Sequence, residues 1–277
     1  LSEIKGFYKQ EGIHSREHMK YNNLLCTQRG YDLDELESVY LKRIDEGKKN
    51  PKVTKKILLA STVAVEHFTA SFGQCFLEGQ VLRGLDGPLG DLWRWHSLEE
   101  LEHKAVAFDV YSQVGGSFKM RKAVMRIVMI TLLIDFLKVT LKMLRHDKQL
   151  WRWRTAKSMS KFFFSKRGFV RLLMPAYKDF FREDFHPWDE DSRELLKHWQ
   201  EKLERGIQRA HLLPRRRCLG ARNVEGLRTP VHPTLAPRSR ISKSLTTDAL
   251  RLGVCQFMAA PECAKCPQPS ERRGRPT

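Results

Sequence analysis

Apolar residues recur at three- and four-residue intervals through most of the first 204 positions, and no stretch alternates convincingly over five or more. That periodicity predicts helices and no sheet. A first helix runs from the start of the chain to about Asn22. The stretch "DLDELESVYLKRIDEG" gives a second, with Asp32 as N-cap and Gly47 as a stop signal. Pro51 stands at a first-turn position and opens a long helix reaching about Gln80. "GLDGPLG" then reads as a turn, and residues 90–114 as one helix closed by Gly115 and Gly116. Four more helical segments follow over 118–146, 148–165, 168–182 and 188–204, the last capped by "HPWDEDS". The expected fold is therefore all-α: a helical domain over residues 1–204, then a tail over 205–277.

The tail differs in kind. From Arg205 onward there are 15 Lys+Arg against 4 Asp+Glu, a surplus of 11, which leaves +7 of the total +18 for the first 204 residues. The helical part thus lacks the strong basic character of a nucleic-acid-binding body, and no specific nucleic acid is expected as partner. "LLPRRRCLGARNVEGLRTPVHPTLAPRSR" has neither helical nor strand period, and its low hydrophobicity with high charge predicts disorder. Its Arg/Pro/Ala bias is equally that of GC-rich DNA translated out of frame, so a natural basic tail and a frame slip both stand.

Cys263 and Cys266 form a single CxxC with Cys255 upstream, but no fourth ligand at workable spacing accompanies them, so no zinc site is read there. Cys26 and Cys75 fall in helices and read as buried thiols of a reducing compartment, which suits a cytoplasmic protein. No signal peptide is recognised. The most apolar run, Ile127–Ile134, is eight residues long, against the ~20 that span a bilayer. Its helix is expected to pack against the bundle, although the "KMRK" at its head also suits a membrane surface. The first residue is Leu, within a pattern already helical, so the chain reads as a piece lacking an upstream part.

Three of the helices carry acids and histidines where core residues are expected. Glu11-x-x-His14 lies on the first helix, with His18 one turn on. Glu66 lies in the small and apolar "VAVEHFTA", with Thr62, Val63, Thr69, Ala70 and Gly73 at helical spacing around it. "WHSLEELEHK" holds Glu100-x-x-His103, and His96, Glu100 and His103 fall within about 60° of arc. At i and i+3 a carboxylate and an imidazole converge, offering one hard oxygen and one borderline nitrogen to a metal. Any single pair is ordinarily a solvated couple. A carboxylate-bridged two-metal centre in a four-helix bundle runs single Glu, pair, single Glu, pair along the chain, and the order pair, single Glu, pair on three separate helices supplies the last three and lacks the first. His67 points about 100° away from Glu66 and reads as a packing or hydrogen-bonding histidine. Asp135, stranded in "ITLLIDFLKVTL", wants a partner, and a salt bridge is expected ahead of a ligand role.

At these residues a family pattern is visible. "QEGIHSREHMKYNN", "VEHFTA", "WHSLEELEHKAVAFDVY" and "DFHPW" resemble a bacterial family labelled predicted metal-dependent hydrolase, over roughly residues 1–204. The resemblance implies a ferritin-like four-helix core, with Glu11, His14, Glu66, Glu100 and His103 as metal ligands and His18 and His96 close to the site. It also implies an upstream helix with a Gly-Glu-x-Phe-Phe type motif, to which nothing here corresponds, so the first core helix is expected to be missing. The tail departs from the family altogether.

Two enzymatic readings follow. In a metal-dependent hydrolase, two divalent metals activate water against an ester or amide of a small molecule, with Glu99 or His18 shuttling the proton and His96 orienting a ligand. In a di-iron oxygenase or oxidase, the same ligands serve a small apolar or lipid-like substrate, and Glu/His ligation suits iron at least as well as zinc or manganese. A third reading, binding of anionic surfaces by the basic tail, belongs to another class. Homodimerisation is expected if a core helix is absent.

Overall fold

In the computed structural model, the structure describes residues 2–81, 84, 85 and 87–212. The tail segment containing Cys255, Cys263 and Cys266 lies outside the described residues. Among the described residues there are nine α-helices and one 3-10 turn, with no strand, so the chain is all-α. In order they are α1 (Ser2–Arg29), α2 (Leu33–Lys49), α3 (Lys55–Leu77), α4 (Gly87–Glu102), α5 (Val106–Gln113), α6 (Phe118–His146), α7 (Trp153–Phe164), α8 (Phe169–Asp179) and α9 (Arg193–Leu212). The 3-10 turn Pro187–Asp189 precedes α9.

Local signals placed most ends. Asp32 caps α2 by accepting from the Glu35 backbone N–H. At Gly115 (φ 70°) the chain turns left-handed after α5, and the Gly116 N–H reaches back to the Tyr111 carbonyl, a closure that a Cβ would resist. Other boundaries moved. α1 continues seven residues past Asn22 because Leu25 and Cys26 keep the apolar period until Gly30 breaks it. Pro51 lies in a turn organised by the Asn50 side chain, which accepts from Lys52 N–H, and α3 starts only at Lys55. The single helix expected over 90–114 is two, interrupted at His103–Ala105.

The chain divides into two compact units. Among the described residues, one comprises 2–55 and Arg126–Ala156; the other comprises Lys56–Met125 and 157–212. In the first, Cys26, Tyr31 and Leu36 pack with Val139 and Met143 of α6. The end of α1 is tied to the end of α6, since Arg29 and Tyr31 both donate to Asp147 Oδ2, at 2.6 and 2.7 Å. Asp135 has the expected partner: Arg43 of α2 donates from Nε to Oδ2 at 2.6 Å.

In the second unit Ala70 and Leu77 of α3, Leu98 and Leu101 of α4, and Leu196 and Trp199 of α9 form a common core. The Trp199 indole N–H donates to the Leu77 carbonyl at 3.2 Å, satisfying the one polar atom that this ring buries. Arg121 is buried beside the rings of Phe108, Phe118, Phe180 and Phe185, and donates to the carbonyls of Phe180 and Arg182. Cation–π contacts and carbonyl acceptors together offset the burial of that charge.

Candidate metal centre

The second unit gathers four of the predicted site residues. Glu66 lies on α3, His96 and Glu100 on α4, and His103 at the point where α4 ends; all four are at most 5 % exposed. His103 Nδ1 stands 3.5 Å from Glu66 Oε2, and His96 Nε2 stands 3.4 Å from Glu100 Oε1. Thr69, one turn along α3 from Glu66, donates its hydroxyl to Glu100 Oε2 at 2.5 Å. The two carboxylates are therefore presented from neighbouring helices, each with an imidazole beside it.

Close helix approach makes this possible. Gly73 of α3 faces Ser97 of α4, and a Cβ at Gly73 would stand 3.2 Å from Ser97 Cα, Cβ and O. Of the residues that the sequence places around Glu66, Thr69, Ala70 and Gly73 all meet α4. Interaxial distance depends on the side chains at the contact.

The break after α4 bears directly on His103. Its N–H still bonds back to the Glu99 carbonyl at 3.3 Å, while its own carbonyl accepts from Val106 in a tighter turn. Lys104 turns inward to donate to the Glu190 carbonyl at 2.7 Å and to Ser192 Oγ at 2.9 Å, and it covers the Trp188 ring. Burial lowers the Lys104 pKa, with Glu190 and Asp191 opposing. Lys104 thus anchors the backbone beside His103 to the segment that starts α9. Thr69 and Gly73 were read from the sequence as neighbours of Glu66, whereas Lys104 and Ser97 were not read as site features.

The remaining residues are placed as follows. His67, as expected, is a packing histidine. Its Nε2 bonds the Ala176 carbonyl at 2.9 Å, so that nitrogen carries the proton, and its ring packs on Phe180 and Phe185. Burial pushes the ring down to about 4, with the Ala176 hydrogen bond opposing. Glu99 is half-buried, about 100° round α4 from Glu100.

In the first unit α1 holds Glu11, His14 and His18 on one face. His14 and His18 are buried, and His14 Nδ1 is 3.6 Å from Glu11 Oε1. Burial pushes His18 down to about 3, helped by His14 and opposed by Glu17. Glu17 is itself buried and accepts from Arg16 and Lys20 at 3.1 and 2.9 Å.

Two carboxylates as deeply buried as Glu66 and Glu100 call for positive charge. Hard oxygens paired with imidazole nitrogens in a water-poor core are a donor set that divalent metals accept. The residues present therefore fit a metal. The comparison with known families agrees. Residues 1–191 match the family model described as predicted metal-dependent hydrolase, and the chain belongs to that family. No curated protein and no solved structure matches it.

Proposed function

We propose that the chain is a hydrolase that works with two divalent metal ions, with Glu66, Glu100 and His103 as ligands in the second unit and Glu11 and His14 as ligands in the first. The observation that carries this reading is the buried pairing of Glu66 with His103 beside that of Glu100 with His96. Glu11-x-x-His14 repeats the spacing of Glu100-x-x-His103, so that with Glu66 the chain carries the last three members of the ligand order of a ferritin-like di-metal bundle. When bound, such metals, iron ahead of zinc or manganese, would supply Lewis acidity, lowering the pKa of water to about 7 and polarising a carbonyl oxygen.

This chain's own groups do the rest. Thr69 fixes one oxygen of Glu100 and so orients the other. His96 steadies the same carboxylate from the preceding turn. Lys104 holds the backbone that carries His103. Half-buried Glu99 and buried His18 are the candidates to move a proton for a small-molecule ester or amide. The free thiols of Cys26, buried, and Cys75, half-buried rather than fully buried as expected, are both pushed up to about 11 by burial, which keeps them protonated and suits a cytoplasmic setting.

The test is metal content after anaerobic loading with iron and, separately, zinc. The expected result is about two metals per chain, falling to one or none in Glu66→Ala and His103→Ala variants that keep their helical content. A folded chain that takes up neither metal overturns the reading. Oxygen uptake by the iron-loaded chain, with no cleavage of esters by either form, would move the assignment to a di-iron oxygenase.

A further inference from the structure

We propose that the first unit docks onto an anionic membrane surface through the outer face of α6 and the tryptophan turn that follows it. α6 is apolar on two faces. Val128, Leu132, Phe136, Val139 and Met143 are buried, whereas Ile127, Ile130, Ile134 and Leu141 are exposed. The exposed four fall within about 60° of arc and extend along about 21 Å of helix. Core packing does not account for them.

The next turn adds to the same chemistry. α6 ends with the Gln149 N–H bonded to the Leu144 carbonyl, and Lys148 takes the left-handed conformation at φ 56°. Beyond this reversal Trp151 and Trp153 are 93 % and 78 % exposed, and Arg152 and Arg154 beside them are exposed too. Tryptophan gains most where its ring meets hydrocarbon and its N–H meets headgroups.

Charge selects the occupant. Between Arg126 and Ala156 there are 7 Lys+Arg and 2 Asp, and both acids are held by arginines from other helices, Asp135 by Arg43 and Asp147 by Arg29. Arg126, Lys138, Arg145, Lys148, Arg152 and Arg154 are exposed. A second copy of the chain would set these cations against one another. Anionic headgroups neutralise them while the isoleucine stripe and the indoles enter the acyl boundary. Among the described residues no helix is long and apolar enough to cross a membrane, so the mode is surface attachment.

The experiment uses the full chain with vesicles of phosphatidylcholine alone or with about one-third phosphatidylglycerol. Flotation should show binding to the anionic vesicles. Brominated acyl chains should quench tryptophan emission, and a Trp151→Phe/Trp153→Phe chain should lose that quenching. Ile130→Asp/Ile134→Asp should weaken partition by about tenfold or more, with circular dichroism unchanged. Three results overturn the proposal: no binding to anionic vesicles; binding that ignores Ile130→Asp/Ile134→Asp and gives no quenching, which would assign it to cations elsewhere; or a dimer that Ile130→Asp dissociates and that ignores vesicles.

Discussion

Asp135 directly follows the most apolar run of the chain, and Arg43 Nε is its hydrogen-bonded counter-charge. Removing Arg43 leaves a buried carboxylate without its main counter-charge. Because the Arg43 side chain is 37 % exposed, water will screen part of the effect. Arg43→Ala should cost about 2 kcal/mol in urea unfolding, and adding Asp135→Asn should recover part of it. Equal losses from the single and double variants would mean the pair contributes nothing of its own. The need for a partner was legible in the apolar neighbours of Asp135, but the partner was not. Arg43 is 92 positions away, and only the packing of α2 beside α6 selects it.

At the scale of elements, the α3–α4 contact organises the carboxylates. A glycine inside a helix ordinarily costs about 1 kcal/mol relative to alanine, and Gly73 repays that through its approach to Ser97. Gly73→Val should push the helices apart, destabilise the chain by about 2–3 kcal/mol and lower metal uptake. Thermal unfolding and elemental analysis check both. Undiminished metal content in a destabilised Gly73→Val chain would show that the contact supports the core alone. The interruption after α4 had no sequence signal, since "LEELEHKAVAFDVY" contains neither Gly nor Pro. At the interruption Lys104 places its ammonium on the Glu190 carbonyl and Ser192 Oγ, 86 and 88 positions away, contacts that no local pattern announces.

For the molecule as a whole, a metal bound only by the folded chain must raise its stability by mass action, about 2.7 kcal/mol at a hundredfold excess over Kd. Loading should therefore raise Tm by roughly 5–10 °C, and a chelator should reverse the shift. Uptake of metal without a change in Tm would place the ions on groups that unfolding does not disturb. The two faces of α6 belong to this scale as well. The sequence suggested either packing against other helices or contact with a membrane surface, and the structure shows one face buried and the other exposed.

By itself the sequence determined what depends on near neighbours. Helical period, the Asp32 cap, the Gly115 turn and the common face of Glu11, His14 and His18 all follow from hydrogen bonds and side-chain directions within a few residues. Tertiary structure alone decided the apposition of Glu66 to His103, the Thr69–Glu100 hydrogen bond, the Lys104 anchor and the exposure of the α6 stripe. The first three join residues more than 30 positions apart, and the stripe is exposed because core packing takes up only the opposite face of α6. Which of many acids, imidazoles and cations meet is a matter of packing, and no local rule chooses among them.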